Sequence, residues 1–115
     1  MVREDFIYFD VDETIILHQD KKYKKLKKIK IRDPYDPTLV HTVSIHKSHV
    51  YWLKIMARRG SKIVVWSAGG RPWAQAVVDA LGLNEFVSFC LGKPNAIYDD
   101  EPVVLKCIPR WDKPY

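Results

Sequence analysis

Two short apolar runs, each ending on a polar residue, most constrain the fold of this chain. Residues 6–9 (FIYF) are rich in β-forming side chains and lead into Asp10. Residues 62–66 (KIVVW) have the same character and lead into Ser67. Runs of this length are typical of strands buried on both faces of a parallel sheet. A Gly-rich loop and a helical pattern follow the second run, so the order of elements indicates a doubly wound α/β fold.

The spacing of apolar side chains predicts two helices. The first runs over residues 49–59, with Ser48 as its N-cap and Gly60 as its stop signal. The second begins at Pro72 and ends before Gly82. Each helix then leads to an apolar run, as expected when helices connect neighbouring parallel strands.

Three further strands are predicted towards the end of the chain, at residues 86–91, 96–98 and 103–108. The second of these would end on Asp99 and Asp100. Only residues 92–95 separate it from the strand before, which is too short for the crossover that a parallel sheet requires. Either residues 86–91 do not form a regular parallel strand, or the sheet is reduced in this region. An irregular tail is expected over residues 109–115.

Polar and apolar residues alternate over residues 27–46, interrupted by a turn that contains Pro34 and Pro37. This pattern predicts a β-hairpin. The hairpin lies within residues 15–47, between the first apolar run and the first predicted helix, and is interpreted as a flap. Because 115 residues provide one hydrophobic core, residues 1–115 are expected to form a single domain.

The positive charge of the chain is concentrated in one segment. Residues 21–32 contain eight of the nineteen Lys and Arg residues and no acidic residue, although the net charge of the whole chain is only +5. One interpretation is a binding surface for an anionic partner. The other is a solvated hairpin arm whose lysines prevent pairing with other chains.

Several classes of protein are disfavoured by the composition. No apolar run approaches the length of a membrane span, and the N-terminus lacks the features of a signal peptide, so a cytoplasmic, non-membrane protein is expected. Cys90 and Cys107 fit no redox or zinc motif and are expected to be reduced and buried. His41, His46 and His49 follow no metal-binding spacing and are interpreted as surface histidines or as histidines with satisfied hydrogen bonds.

Polar residues that follow parallel strands meet at one edge of the sheet, so Asp10, Asp12, Ser67 and the Asp99–Asp100 pair are expected to converge on one crevice. Attack of Asp10 on phosphorus would give an aspartyl-phosphate, dividing one difficult displacement into two easier ones. Asp12 is suitably placed to act as the general acid and base.

A divalent cation is needed because carboxylates repel phosphate. Mg²⁺ prefers oxygen ligands, which Asp10, a backbone carbonyl and the acidic pair would supply. Lys93 would place a positive charge against the phosphoryl oxygens. Ser67 and the backbone amides after it, at a Gly-rich helix entry, would donate hydrogen bonds to the same oxygens.

These residues resemble the motifs of the haloacid dehalogenase-like phosphohydrolases. That family has a strand followed by DxDx[TV], a strand ending in Ser or Thr, a Lys, and a strand ending in an acidic pair. The chain has DVDET at residues 10–14, Ser67, Lys93 and Asp99-Asp100, in this order and over residues 5–101. The segments WSAGGRPWA and GKPNAIYDD are also similar to small phage-encoded members that lack a cap.

The resemblance implies a Rossmann-like three-layer α/β sandwich, with a reduced parallel sheet and a β-hairpin flap after the first strand. It implies that Asp10 is the nucleophile, that Asp12 is the acid/base, and that Mg²⁺ is held by Asp10, the Asp12 carbonyl and the Asp99–Asp100 pair. It also implies a phosphate site formed by Ser67, Ala68 and Lys93.

The expected function is that of a Mg²⁺-dependent phosphomonoesterase with an open cleft. Its substrates would be nucleic-acid phosphate ends or nucleotides, with Tyr23 or Tyr35 available for stacking. The alternatives are a phosphatase for small metabolites such as sugar phosphates, and a non-catalytic module that binds nucleic acid or protein. A monomer or small homo-oligomer is expected. Candidate substrate contacts are Thr14, Lys24, Lys25, Lys27, Lys28 and Arg71.

Overall fold

A computed structural model describes residues 4–18, 25–103, 105–111 and 113–115. Within these ranges, six strands and two helices follow one another along the chain. They are β1 Phe6–Asp10, β2 Ile16–Leu17, β3 Lys28–Arg32, β4 Val40–Ile45, α1 Lys47–Arg58, β5 Lys62–Ser67, α2 Arg71–Leu81 and β6 Phe89–Gly92.

Three of the strands form the parallel sheet that the apolar runs predict. Their order is β1–β5–β6, with Asp10 of β1 beside Trp66 and Ser67 of β5 beside Gly92. The carboxyl ends of all three strands therefore lie at the same edge of the sheet. This arrangement confirms an α/β fold with a parallel sheet.

One face of the parallel sheet carries most of the hydrophobic core, although Val64 is buried on the other face. Phe9, Ile63, Val65 and Cys90 point to this face and pack with apolar residues of both helices. The opposite face carries side chains in register with one another that remain 40–54% exposed, namely Phe6, Tyr8, Phe89 and Leu91. The third layer of the predicted sandwich therefore has no counterpart in the described part of the chain.

The predicted hairpin is present and belongs to a second, antiparallel sheet in the order β2–β4–β3. The sequence pattern did not predict β2, which has only two residues. Ile31 and Val43 are buried in the core, and the ring of His41 meets Trp73 of α2 edge-on at 5.1 Å. Helix α2 packs against β3, β5 and β6, so it joins the two sheets.

The helices occupy the predicted regions, but the capping of α1 differs. Helix α2 ends at Gly82, which has the left-handed backbone conformation favoured by glycine (φ 66°). The prediction that Ser48 caps α1 was wrong, because the N-cap is His46, whose ring accepts a hydrogen bond from the amide of His49. Ser48 lies inside the helix, and its hydroxyl hydrogen-bonds the carbonyl oxygens of Lys113 and Tyr115.

The strands predicted beyond β6 are wrong: residues 96–98 and the described residues of 103–108 adopt no strand. Residues 92–95 are too few to lead the chain back to the sheet. Cys107 is exposed, contrary to the prediction, whereas Cys90 is buried and neither forms a disulfide. Burial raises the pKa of the Cys90 thiol.

The described residues of the 109–115 tail form no helix or strand, as predicted. They pack against α1. The contacts include a hydrogen bond from the amide of Ser48 to the carbonyl of Pro114 at 3.2 Å, and Pro114 itself is buried. Neither of the two helices in the described part of the chain has the length and apolar content needed to cross a membrane.

Candidate active site

The ends of the three parallel strands bring Asp10 and Lys93 together. The Nζ atom of Lys93, one residue after β6, lies 2.9 Å from Oδ1 of Asp10 at the end of β1. The backbone amide of Lys93 donates to the carbonyl of Ser67 at 2.9 Å, which extends the pairing of β6 with β5 by one residue. This backbone hydrogen bond fixes the position of the Lys93 backbone beside β5. The parallel pairing of the strands therefore places the Lys93 side chain within reach of Asp10.

A tight turn after β1 directs Asp12 back towards the same edge. The carbonyl of Val11 accepts hydrogen bonds from the amides of Thr14, Ile15 and Ile16 at 3.2, 2.9 and 3.2 Å. Glu13 completes the turn with a positive φ of 61°, which is uncommon for a residue other than glycine. The Thr14 hydroxyl donates to Oδ2 of Asp10 at 3.1 Å, so Thr14, predicted as a substrate contact, orients the Asp10 carboxylate.

The Asp12 carboxylate has three side-chain partners. Nε2 of His18 lies 2.6 Å from Oδ1, and Nε1 of Trp73 donates to the same oxygen at 3.1 Å. The Ser67 hydroxyl lies 3.4 Å from Oδ2, so the first and second motifs meet as predicted. Sequence reasoning missed both His18 and Trp73, because His18 belongs to no motif and Trp73 only marks the apolar stripe of α2.

The loop between β5 and α2 forms one wall of the site. The Ser67 hydroxyl accepts a hydrogen bond from the amide of Gly69 at 3.0 Å, while Ala68 and Arg71 are exposed. Gly70 is the N-cap of α2 and has φ 96°. The loop therefore opens directly onto the amino end of a helix, where backbone N–H groups favour anions.

The tip of the hairpin reaches this loop through Tyr35. Its hydroxyl donates to the carbonyl of Gly69 at 2.8 Å, and a Cβ atom at Gly70 would collide with that hydroxyl. The tip is shaped by Asp33, which accepts hydrogen bonds from the amides of Tyr35 and Asp36. A hydrogen bond with the ring of His41 lowers the pKa of Asp33.

Other predicted contacts lie on the hairpin arm. Lys25, Lys27 and Lys28 are all exposed. Lys24 and Tyr23 fall outside the described residues. The structure therefore places part of the basic segment on the surface but brings none of these three lysines into contact with Asp10 or Asp12.

The structure does not bring the Asp99–Asp100 pair to the other motif residues. Both are exposed in an irregular segment, and the amide of Glu101 donates to Oδ1 of Asp99, which lowers the pKa of that carboxyl. Across the described ranges, no group of three or more His, Cys, Asp or Glu side chains is arranged to hold a metal ion. Asp99 and Asp100 line a concavity of about 410 Å³ together with Ile97, Glu101, Pro102 and Val103.

Comparison with known proteins gives one family. The model of the NLI interacting factor-like phosphatases matches residues 6–111, a range that includes Asp10, Asp12, Ser67, Lys93 and the acidic pair. This is a family of haloacid dehalogenase-like phosphatases, which confirms the resemblance inferred from the sequence. No curated protein and no solved structure gives a significant match to the chain.

Proposed function

The chain belongs to the NLI interacting factor-like phosphatase family, and from this premise we propose that it hydrolyses phosphate monoesters through a covalent intermediate on Asp10. The observation that carries the proposal is the meeting of Lys93 with Asp10, at 2.9 Å, at the sheet edge where Ser67 approaches Asp12. A nucleophile, an acid/base, a cation and a hydroxyl donor are thus available at the ends of three neighbouring strands.

In the first step, the Asp10 carboxylate attacks phosphorus and the bond to the leaving oxygen breaks, while protonated Asp12 donates a proton to that oxygen. In the second step, Asp12 removes a proton from water, which attacks the aspartyl-phosphate and releases phosphate and free Asp10. Lys93 stabilises the charge on the phosphoryl oxygens. His18, 2.6 Å from Asp12, is placed to share the acidic proton.

The residues at this edge fit a Mg²⁺ ion. The Asp10 and Asp12 side chains are 32% and 40% exposed, and carboxylate and carbonyl oxygens are the donors that Mg²⁺ prefers. The Asp10 carboxylate and the Asp12 carbonyl would hold the ion, whose charge would offset the repulsion between Asp10 and the phosphate. Because Mg²⁺ retains several waters, two protein ligands are a sufficient set. The ligand role of Asp99 or Asp100 stays a prediction.

The preferred substrate class is a nucleic acid with a terminal phosphate. Lys28, Lys30 and Arg32 occupy alternate positions of β3, so they share the face opposite Ile31, and all three are exposed. Arg32 is three residues from Tyr35, which limits the distance between their Cα atoms to about 11 Å. A row of positive charges thus leads towards the hairpin tip that contacts the β5–α2 loop, as a polyanion with its end in the site requires.

Phosphate release from a panel of substrates tests the activity. The panel contains 5′- and 3′-phosphorylated oligonucleotides, nucleoside monophosphates and sugar phosphates, each with and without Mg²⁺ and with Asp10→Asn as the blank. We expect Mg²⁺-dependent release that Asp10→Asn abolishes. Absence of release above the blank for every substrate would contradict the proposal and favour a non-catalytic binding module. An Asp99→Asn/Asp100→Asn variant, titrated with Mg²⁺, tests the acidic pair.

The substrate class is tested with Lys30→Gln/Arg32→Gln and with the matched control Lys62→Gln, which removes an exposed charge from the other sheet. We expect the hairpin variant to raise KM for oligonucleotides but not for mononucleotides, and the control to change neither. The slope of log(kcat/KM) against log[salt] should become shallower by about 0.7 for each phosphate that the variant no longer neutralises. Equal turnover of sugar phosphates and oligonucleotides, at every salt concentration, would assign the enzyme to small metabolites instead.

A further inference from the structure

One cluster of hydrogen-bonded side chains next to the site, around the buried His46, takes no part in the proposed chemistry. His49 of α1 lies between the turn that carries Asp12 and the C-terminal tail. Its Nδ1 atom is 2.8 Å from the carbonyl of Thr14, and its Nε2 atom accepts a hydrogen bond from the amide of Trp111 at 3.0 Å. A carbonyl offers no proton and an amide N–H must donate, so the His49 ring is neutral with its proton on Nδ1.

His46 supports the same cluster from one turn earlier. Its Nδ1 atom accepts from the amide of His49 at 3.1 Å, so Nε2 carries the proton and donates to the carbonyl of Trp111 at 2.9 Å. The two imidazole rings stack with their centroids 3.8 Å apart. The amide of His46 also donates to the carbonyl of Ile15 at 2.8 Å, which is a second link to the catalytic turn.

The C-terminal tail also contacts the turn that follows β1. Nη1 of Arg110 donates to the carbonyl of Glu13 at 3.1 Å and lies 3.3 Å from its carboxylate. The carbonyls of Glu13, Thr14 and Ile15 are therefore all bound by α1 or by the tail. Thr14 is also the residue whose hydroxyl orients Asp10, so the position of this turn determines the position of the nucleophile.

We propose that His49 is a positioning residue, which holds the catalytic turn through Thr14 while the docked tail holds the His49 ring. This inference rests on the proposed phosphatase function, because His49 acts on the reaction only through Thr14 and Asp10. It assigns a role to the irregular C-terminal segment, which is 97 residues from the turn it contacts through Arg110.

Protonation of the His49 ring should break its contact with the C-terminal tail. Burial is the main cause that lowers the pKa of both His46 and His49, so both rings are neutral in the folded protein near pH 7. The charged groups that face the pair are Arg110, which lowers the pKa of both, and Glu13, which binds Arg110. A proton added to Nε2 of His49 would oppose the Trp111 N–H. The docking is therefore complete above pH 6.5 and is lost as the pH falls through the lowered folded-state pKa.

Three substitutions of His49 separate its two contacts. His49→Ala removes both, His49→Asn retains a donor near Nδ1 for Thr14, and His49→Gln retains an acceptor near Nε2 for Trp111. Ser48→Ala is the matched control, because it removes hydrogen bonds to Lys113 and Tyr115 without touching the turn. The readouts are kcat and KM as functions of pH, and hydrogen exchange of the amides of residues 14–16.

We expect His49→Ala to accelerate exchange of these amides and to lower kcat about tenfold while KM changes less than about threefold. His49→Asn should restore kcat, whereas His49→Gln should not, and Ser48→Ala should change both readouts less than His49→Ala does. As the pH falls below 6.5, His49→Asn should lose less of its kcat than the wild-type protein does. Unchanged exchange in His49→Ala, or an equal loss of kcat in His49→Asn and His49→Ala, would overturn the inference. If the wild-type protein has no phosphatase activity, the hydrogen-exchange rates of residues 14–16 alone test the inference.

Discussion

At the scale of single residues, the site depends on how each carboxylate is held. Asp10 meets a cation and a hydroxyl, whereas Asp12 meets an imidazole, an indole N–H and a hydroxyl. The ammonium and hydroxyl donors beside Asp10 suit the nucleophilic role that is proposed for it. The imidazole beside Asp12 suits the acid/base role that is proposed for Asp12.

Replacing Lys93 with Met tests the first of these pairs. The substitution removes the ammonium but keeps the length of the side chain, and we expect kcat/KM to fall by about 10²- to 10³-fold. Stability should change by no more than about 1 kcal/mol, because the ion pair is partly exposed. Phosphate release and urea unfolding measure the two effects. Lys62→Met, at the start of β5, should alter neither, and wild-type kcat/KM in Lys93→Met would remove Lys93 from the reaction.

Sequence reasoning anticipated Asp10, Asp12, Ser67 and Lys93 together because strand ends can be read from apolar runs. It could not anticipate Trp73, since the same indole both fills the core and donates to Asp12, and only the first property leaves a pattern. The tail contacts were also out of reach. They join side chains to backbone atoms more than 60 residues away, and backbone donors and acceptors carry no sequence signal.

At the scale of elements, the hairpin is fixed at its tip as well as at its base. Tyr35 binds the carbonyl of Gly69, and the adjacent Gly70 leaves space for the Tyr35 hydroxyl. The alternating pattern predicted the hairpin correctly, because Ile29 and Ile31 face the core while the lysines face outward. Its contact with the β5–α2 loop was not predicted, since it depends on how far the turn projects.

Gly70→Ala should displace the hairpin tip, and Gly60→Ala is the control. Both glycines have φ near +100°, a backbone conformation that alanine rarely adopts, so both variants incur backbone strain of about 1–3 kcal/mol. Only at Gly70 does the new Cβ atom meet another residue, Tyr35, whereas nothing lies within 4 Å at Gly60. We expect Gly70→Ala to cost at least about 1 kcal/mol more in urea unfolding.

A Tyr35→Phe background identifies the cause of that difference. Without the hydroxyl, the collision at residue 70 disappears, so the two glycine variants should have closer unfolding free energies. If Gly70→Ala and Gly60→Ala are equally destabilised in the wild-type background, the hairpin tip is not held by this contact.

At the scale of the whole molecule, stability comes from one side of the parallel sheet. Phe6 and Phe9 belong to the same strand, yet Phe9 is 9% exposed in the core and Phe6 is 45% exposed on the opposite face. Both helices pack on the side of Phe9. The loss of the crossover after β6 explains this asymmetry, because the chain has no described helix left to cover the other side.

The two phenylalanines therefore provide a matched pair for measuring the asymmetry. Phe9→Ala should lower the free energy of unfolding by about 3–5 kcal/mol, a large share of the total for a small domain. Phe6→Ala should lower it by no more than about 1 kcal/mol. Urea denaturation with constant m-values measures both. Similar losses in the two variants would mean that the second face is covered in solution.

The exposed face of the parallel sheet should affect which substitutions the chain accepts during evolution. Over residues 6–9 and 89–91, tolerance of replacement should alternate from one position to the next, because Phe6, Tyr8, Phe89 and Leu91 are 40–54% exposed whereas Phe9 and Cys90 are buried. A saturation library scored for abundance would show bands of permissive positions at Phe6, Tyr8, Phe89 and Leu91, alternating with intolerant positions between them. The exposed apolar side chains of this face should therefore be replaceable with little effect on the proposed active site.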